Sequence, residues 1–81
     1  MTSQATRQIR LRVASNIRRA QETSGMSGRE VADQLGVTPD QFSKWRRGEV
    51  MPSLPYLAQL AEVLADGDIA YFYADLDEVP A

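Results

Sequence analysis

Apolar positions along the chain recur at helical spacing, and the polar, proline and glycine residues between them carry helix start and stop signals. From Gln4 to about Ser24 no proline or glycine intervenes, and Ile9, Val13, Ile17 and Ala20 follow one another at intervals of four, four and three. That stripe predicts a long first helix ended by Gly25. Ser27 with Glu30 three residues on is a capping-box pair, each side chain serving an orphan amide of the other's turn, so a second helix starts there. Val31, Ala32 and Leu35 form its apolar side and Gly36 stops it. Thr38, Pro39 and Gln41 repeat the start signal, with a capping hydroxyl and a proline where its missing amide costs nothing. Phe42 and Trp45 then mark an inner side before Gly48. Two short helices joined at Gly36-Val37 predict a helix-turn-helix.

Farther on, Ser53 caps a fourth amphipathic helix with Pro52 and Pro55 at its start and Leu57, Leu60, Ala61 and Leu64 on one side. Asp66-Gly67 breaks it, and Asp68 starts a fifth element with Ile69, Phe72, Tyr73 and Leu76 at the same spacing. The fold class is all-α: a compact four- to five-helix bundle containing a helix-turn-helix. The organisation is a helix-turn-helix domain over 1–65, with an extended first helix, followed by an acidic segment over 66–81. A chain ending at Ala65 is accordingly expected to keep its fold.

Composition narrows the chemistry. The 81 residues contain neither cysteine nor histidine, so disulfides, thiolate metal sites and Ser-His or Cys-His nucleophile pairs cannot be assembled. No enzyme activity, cofactor or metal site is expected. No signal-peptide-like stretch opens the chain and no run approaches the ~20 apolar residues of a membrane span, so a cytoplasmic protein is expected. The net charge of −2 speaks against a polyanionic partner until its distribution is considered. Residues 1–50 hold nine bases against five acids, a net +4, whereas residues 51–81 hold six acids and no base, a net −6. Such segregation lets one face meet phosphate while another meets solvent or a protein partner.

Taken together, Met26-Ser27, Val31-Ala32, Leu35-Gly36-Val37-Thr38, Phe42 to Gly48, Pro52-Ser53, Leu57, Leu60-Ala61 and Leu64 resemble the lambda-repressor and Cro family over roughly Val13 to Ala65. The resemblance implies that the third helix enters the major groove of duplex DNA, commonly as a dimer on a two-fold operator. The chain departs from the family at Gly28, where a polar residue is usual. It departs again at Arg46 and Gln21, where relatives often carry a Glu and an Arg that pair with each other.

With about 100° per residue, Phe42 and Trp45 set the inward direction of the third helix, and Asp40, Ser43, Lys44 and Arg47 populate the opposite one. Such a face can be ordinary solvated surface; within a helix-turn-helix it fits base readout. Lys44 suits guanine O6 or N7, Asp40 suits the amino group of cytosine, and Ser43 suits either. Gln41 and Pro39 complete the expected base-contacting set. Phosphate contacts are expected from Arg47, Arg18 and Arg19, and from Ser27, Gly28 and Thr38 at the helix starts. Arg7, Arg10 and Arg12 either track neighbouring backbone or decorate a protruding helix end. Trp45 is read as a core residue. Tyr71, Phe72 and Tyr73 cannot all face one way. With Leu76 they form either a dimer or partner contact or a cover over the first and fourth helices.

The leading function is a transcriptional regulator of the phage-type or bacterial repressor kind, a homodimer at least on DNA. Two alternatives stand beside it. One is an antitoxin whose acidic C-terminal segment engages a protein partner; the other is an interaction module that keeps the fold without binding DNA.

Overall fold

The computed structural model describes residues 4–74, and no strand occurs among them. Helix α1 spans Gln4–Ser24, α2 Gly28–Leu35, α3 Pro39–Arg46 and α4 Leu54–Leu64, and a 3-10 turn follows at Ile69–Tyr73. The bundle is all-α, as expected, with the fifth element shorter and more tightly wound than an α-helix. No helix among the described residues is long and apolar enough to cross a membrane.

The local signals act where the sequence places them. Ser27 Oγ accepts from the Glu30 amide at 3.1 Å while Glu30 Oε1 accepts from the Ser27 amide at 3.2 Å, closing the capping box of α2. Thr38 Oγ1 accepts from the Gln41 amide at 3.1 Å at the start of α3. Gly36 (φ 73°) takes the left-handed conformation, and the Val37 amide turns back to the Ala32 carbonyl at 3.1 Å. Helix α3 ends the same way: Gly48 has φ 75°, and the Glu49 amide returns to the Lys44 carbonyl at 3.0 Å. Gly48 has a second reason to lack a side chain, since a Cβ there would stand 3.0 Å from Leu11 Cδ2. The end of α3 thus lies directly on α1. Ser53 sits at the N-cap of α4, but its side chain makes no capping bond.

Val13, Ile17 and Ala20 of α1, Val31, Ala32 and Leu35 of α2, Phe42 and Trp45 of α3, and Leu57, Leu60 and Ala61 of α4 make one core. Trp45 meets Phe42 edge-on at 6.4 Å between ring centroids and packs on Tyr56 at 5.1 Å. The α1 stripe begins one turn later than expected: Ile9 is 45% exposed, and coverage starts at Val13. Leu64 is only partly buried at the rim.

The C-terminal turn belongs to this core. Phe72 is fully buried, and the turn packs on both α1 and α4. Asp68 starts it by accepting from the Ala70 amide at 3.1 Å. Asn16, buried on the inner side of α1, donates its amide to the carbonyls of Tyr71 (3.2 Å), Phe72 (2.9 Å) and Ala74 (2.8 Å). Two amide protons therefore serve three acceptors at the seam. The expected boundary at Ala65 separates charge rather than packing, because the chain beyond it supplies a core aromatic. The same packing bears on the expectation that a chain ending at Ala65 keeps its fold, since such a chain lacks Phe72.

Candidate nucleic-acid interface

Helix α3 is held from behind and open in front. Phe42 and Trp45 are 1% and 2% exposed, which fixes the helix's rotation. The opposite side presents Asp40 and Arg47 in the open and Ser43 and Lys44 half-buried, so the structure brings together the four residues expected on one face. Pro39 is exposed beside them and Gln41 is half-buried. The face is internally paired. Lys44 Nζ lies 3.6 Å from Asp40 Oδ2 one turn away. Arg47 donates through Nη1 to Ser43 Oγ at 3.1 Å and through Nε to the Glu49 carboxylate. Glu49 is the member that sequence reading missed, because its place depends on the chain reversing at Gly48.

The expected phosphate-facing groups fall into two sets. Ser27 and Thr38 are exposed at the starts of α2 and α3. Each hydroxyl accepts an amide in its cap and keeps its own proton for an outside acceptor. Gly28 opens α2, half-buried, where an added Cβ would rest 3.7 Å from Phe42 and 3.8 Å from Gln21, an ordinary contact. Beside it Arg29 is exposed in the first turn of α2. This cation was not singled out from the sequence, although its place next to Gly28 at a helix start is the signal that points to it.

Arg18 is exposed on α1, and its Nη1 donates to the Arg46 carbonyl in the last turn of α3. A cation there meets the negative end of the helix dipole and a carbonyl with no intrahelical partner. This contact links α1 to α3 from side chain to backbone. Gln21 is buried and donates to the Met26 carbonyl at 3.2 Å across the α1–α2 connection. The buried Gln21 Oε1 and Arg46 Nε have no hydrogen-bond partner among the described residues. Arg19 is half-buried farther along α1.

The aromatics expected at a dimer contact separate. Phe72 is a core residue, so its place in that contact is corrected: the 3-10 turn points it between α1 and α4. Tyr71 is half-buried and meets Phe72 edge-on at 5.5 Å. Tyr73 is the outward one, 39% exposed. Leu76 lies outside the described residues.

Two short helices, the second packed by aromatics behind and carrying polar and charged groups in front, define a helix-turn-helix protein. The helix-turn-helix domain family model matches residues 12–68, well over half of the chain, and the protein belongs to that family, in its Cro-like branch. No curated protein and no solved structure gives a match to the chain. Helix-turn-helix domains are a class of DNA-binding module.

Proposed function

We propose that the protein is a transcriptional regulator that reads duplex DNA sequence-specifically through α3. The observation that carries this reading is the α3 face itself, with Asp40, Ser43, Lys44 and Arg47 turned outward by the burial of Phe42 and Trp45. Lys44 and Asp40 present a donor and an acceptor to base edges, Ser43 serves either, and Pro39 and Gln41 flank them. Arg47, with the helix starts at Ser27, Gly28 and Thr38, engages phosphates and sets register. Arg19 joins them from α1.

One helix with four outward side chains covers about four or five base pairs, too few for specificity in a genome. Two copies on a two-fold site, their α3 helices about 34 Å apart, double the information. The acidic C-terminal half is the side electrostatically free for the second copy, and Tyr73 is the exposed aromatic available there. The test is selection of bound fragments from a random duplex pool by the full chain. A recurrent two-fold sequence is the expected result, and failure to enrich any sequence overturns the reading.

A further inference from the structure

The reading face of α3 carries its own counter-charges. Lys44 is paired with Asp40 at 3.6 Å, and Arg47 is held between Ser43 Oγ at 3.1 Å and the Glu49 carboxylate. Counting Asp40, Lys44, Arg47 and Glu49, the outward end of α3 has no net charge. Glu49 is not placed there by chance of side-chain rotation. The left-handed Gly48 reverses the chain, and the Glu49 amide bonds to the Lys44 carbonyl at 3.0 Å, which seats its carboxylate against the last turn of the helix.

We propose that Glu49 is a specificity-determining residue: it orients the Arg47 guanidinium while keeping a carboxylate where phosphates must approach, and so suppresses binding to DNA of arbitrary sequence. The inference rests on the DNA-binding reading above. A guanidinium is a rigid fork, and with Nε on Glu49 and one Nη1 proton on Ser43 its remaining protons point in fixed directions. A duplex docked in register by its base contacts brings a phosphate oxygen along those directions and gains an ordered donor without freezing a long side chain. A duplex held only by its phosphates gains little, since each approach meets a cation already neutralised by its neighbour. Removing the carboxylate therefore has opposite consequences on the two kinds of DNA. On random sequence it frees one cation, and on the preferred sequence that gain is offset by lost orientation.

The experiment compares the full chain with Glu49→Gln, which keeps size but replaces the charge-assisted hydrogen bond that orients Arg47 with a weaker neutral one. Glu62→Gln on α4 serves as a control with the same change of net charge. Fluorescence anisotropy is read on a random duplex pool and on the duplex enriched by the wild-type chain, across a salt series. One further released counterion steepens the log-log salt slope by about 0.9, equivalent to roughly eight-fold in affinity near 0.1 M salt. Glu49→Gln is expected to bind the random pool two-fold to about eight-fold tighter while changing affinity for the enriched duplex less than two-fold, with Glu62→Gln moving neither. An unchanged ratio between the two duplexes, or an equal effect from Glu62→Gln, overturns this inference alone. If the wild-type chain enriches nothing and binds neither duplex, the functional reading falls and this inference with it.

Discussion

Replacing Phe72 with alanine tests whether the end of the chain is part of the fold or an appendage to it. Phe72 is fully buried, meets Tyr71 edge-on at 5.5 Å, and lies where Asn16 ties the carbonyls of Tyr71, Phe72 and Ala74 to α1. Truncating a buried phenylalanine costs about 3–5 kcal/mol through lost transfer energy and an unfilled cavity. A domain of this size has a total stability of about 5–15 kcal/mol, so the change removes a large fraction of it. Each kcal/mol corresponds to roughly 4–8 °C in Tm at this length, which puts the fall at about 12 °C or more. Tyr73→Ala, at an exposed neighbouring position, is expected to cost under about 0.5 kcal/mol. Trp45, buried between Phe42 and Tyr56, is an internal fluorescence probe for urea unfolding, to be compared with far-UV circular dichroism. The two probes should give one transition, with the Phe72→Ala midpoint far below the others. A Phe72→Ala midpoint indistinguishable from that of Tyr73→Ala would show that the turn contributes nothing to the core. The outcome also governs how dimerisation is assayed: a chain ending at Ala65 loses a core aromatic, so weaker operator binding by it would not separate lost dimerisation from lost stability, and Tyr73→Ala is the cleaner probe of a second copy.

Three further outcomes are expected. Asn16→Leu should lower unfolding free energy by about 1–3 kcal/mol, because the carbonyls of Phe72 and Ala74 lose their donor at a buried seam; urea titration that matches wild type would refute this. Lys44→Ala and Asp40→Ala should each change base preference by about 1–3 kcal/mol in competitive selection, whereas Arg47→Ala should weaken binding to the selected sites without altering the selected motif; an unaltered selected motif from Lys44→Ala would contradict the α3 assignment. Arg18→Ala should reduce the salt slope of DNA binding by about 0.9, since one Nη1 bond to the uncharged Arg46 carbonyl leaves the charge and the other N–H donors of an exposed guanidinium for phosphate; an unchanged slope would make Arg18 a structural link alone.

Much of this molecule is local, and that part is legible in the chain. The capping box at Ser27 and Glu30, the Thr38-Pro39 start and the glycines at 36 and 48 each act within one turn of backbone, so their residue types alone set where α2 and α3 begin and end. The outward face of α3 follows as directly, because Phe42 and Trp45 leave a helix only one way to turn. Tertiary structure decided what depends on partners far away in sequence or on the path of the chain between elements. Nothing near Asn16 announces that its amide is satisfied by carbonyls 55 to 58 residues away, and a polar residue on an apolar stripe reads locally as an interruption. Three consecutive aromatics could not be sorted by periodicity; the tight 3-10 turn and the gap between α1 and α4 chose Phe72 for the core and left Tyr73 outside. Arg18 and Ile9 sit on α1 at helical spacing that suits several roles, and only the position of α3 against α1 assigned the first to a helix end and left the second uncovered. Glu49 is two residues from Arg47, yet their contact exists only because Gly48 reverses the backbone and the returning amide finds the Lys44 carbonyl.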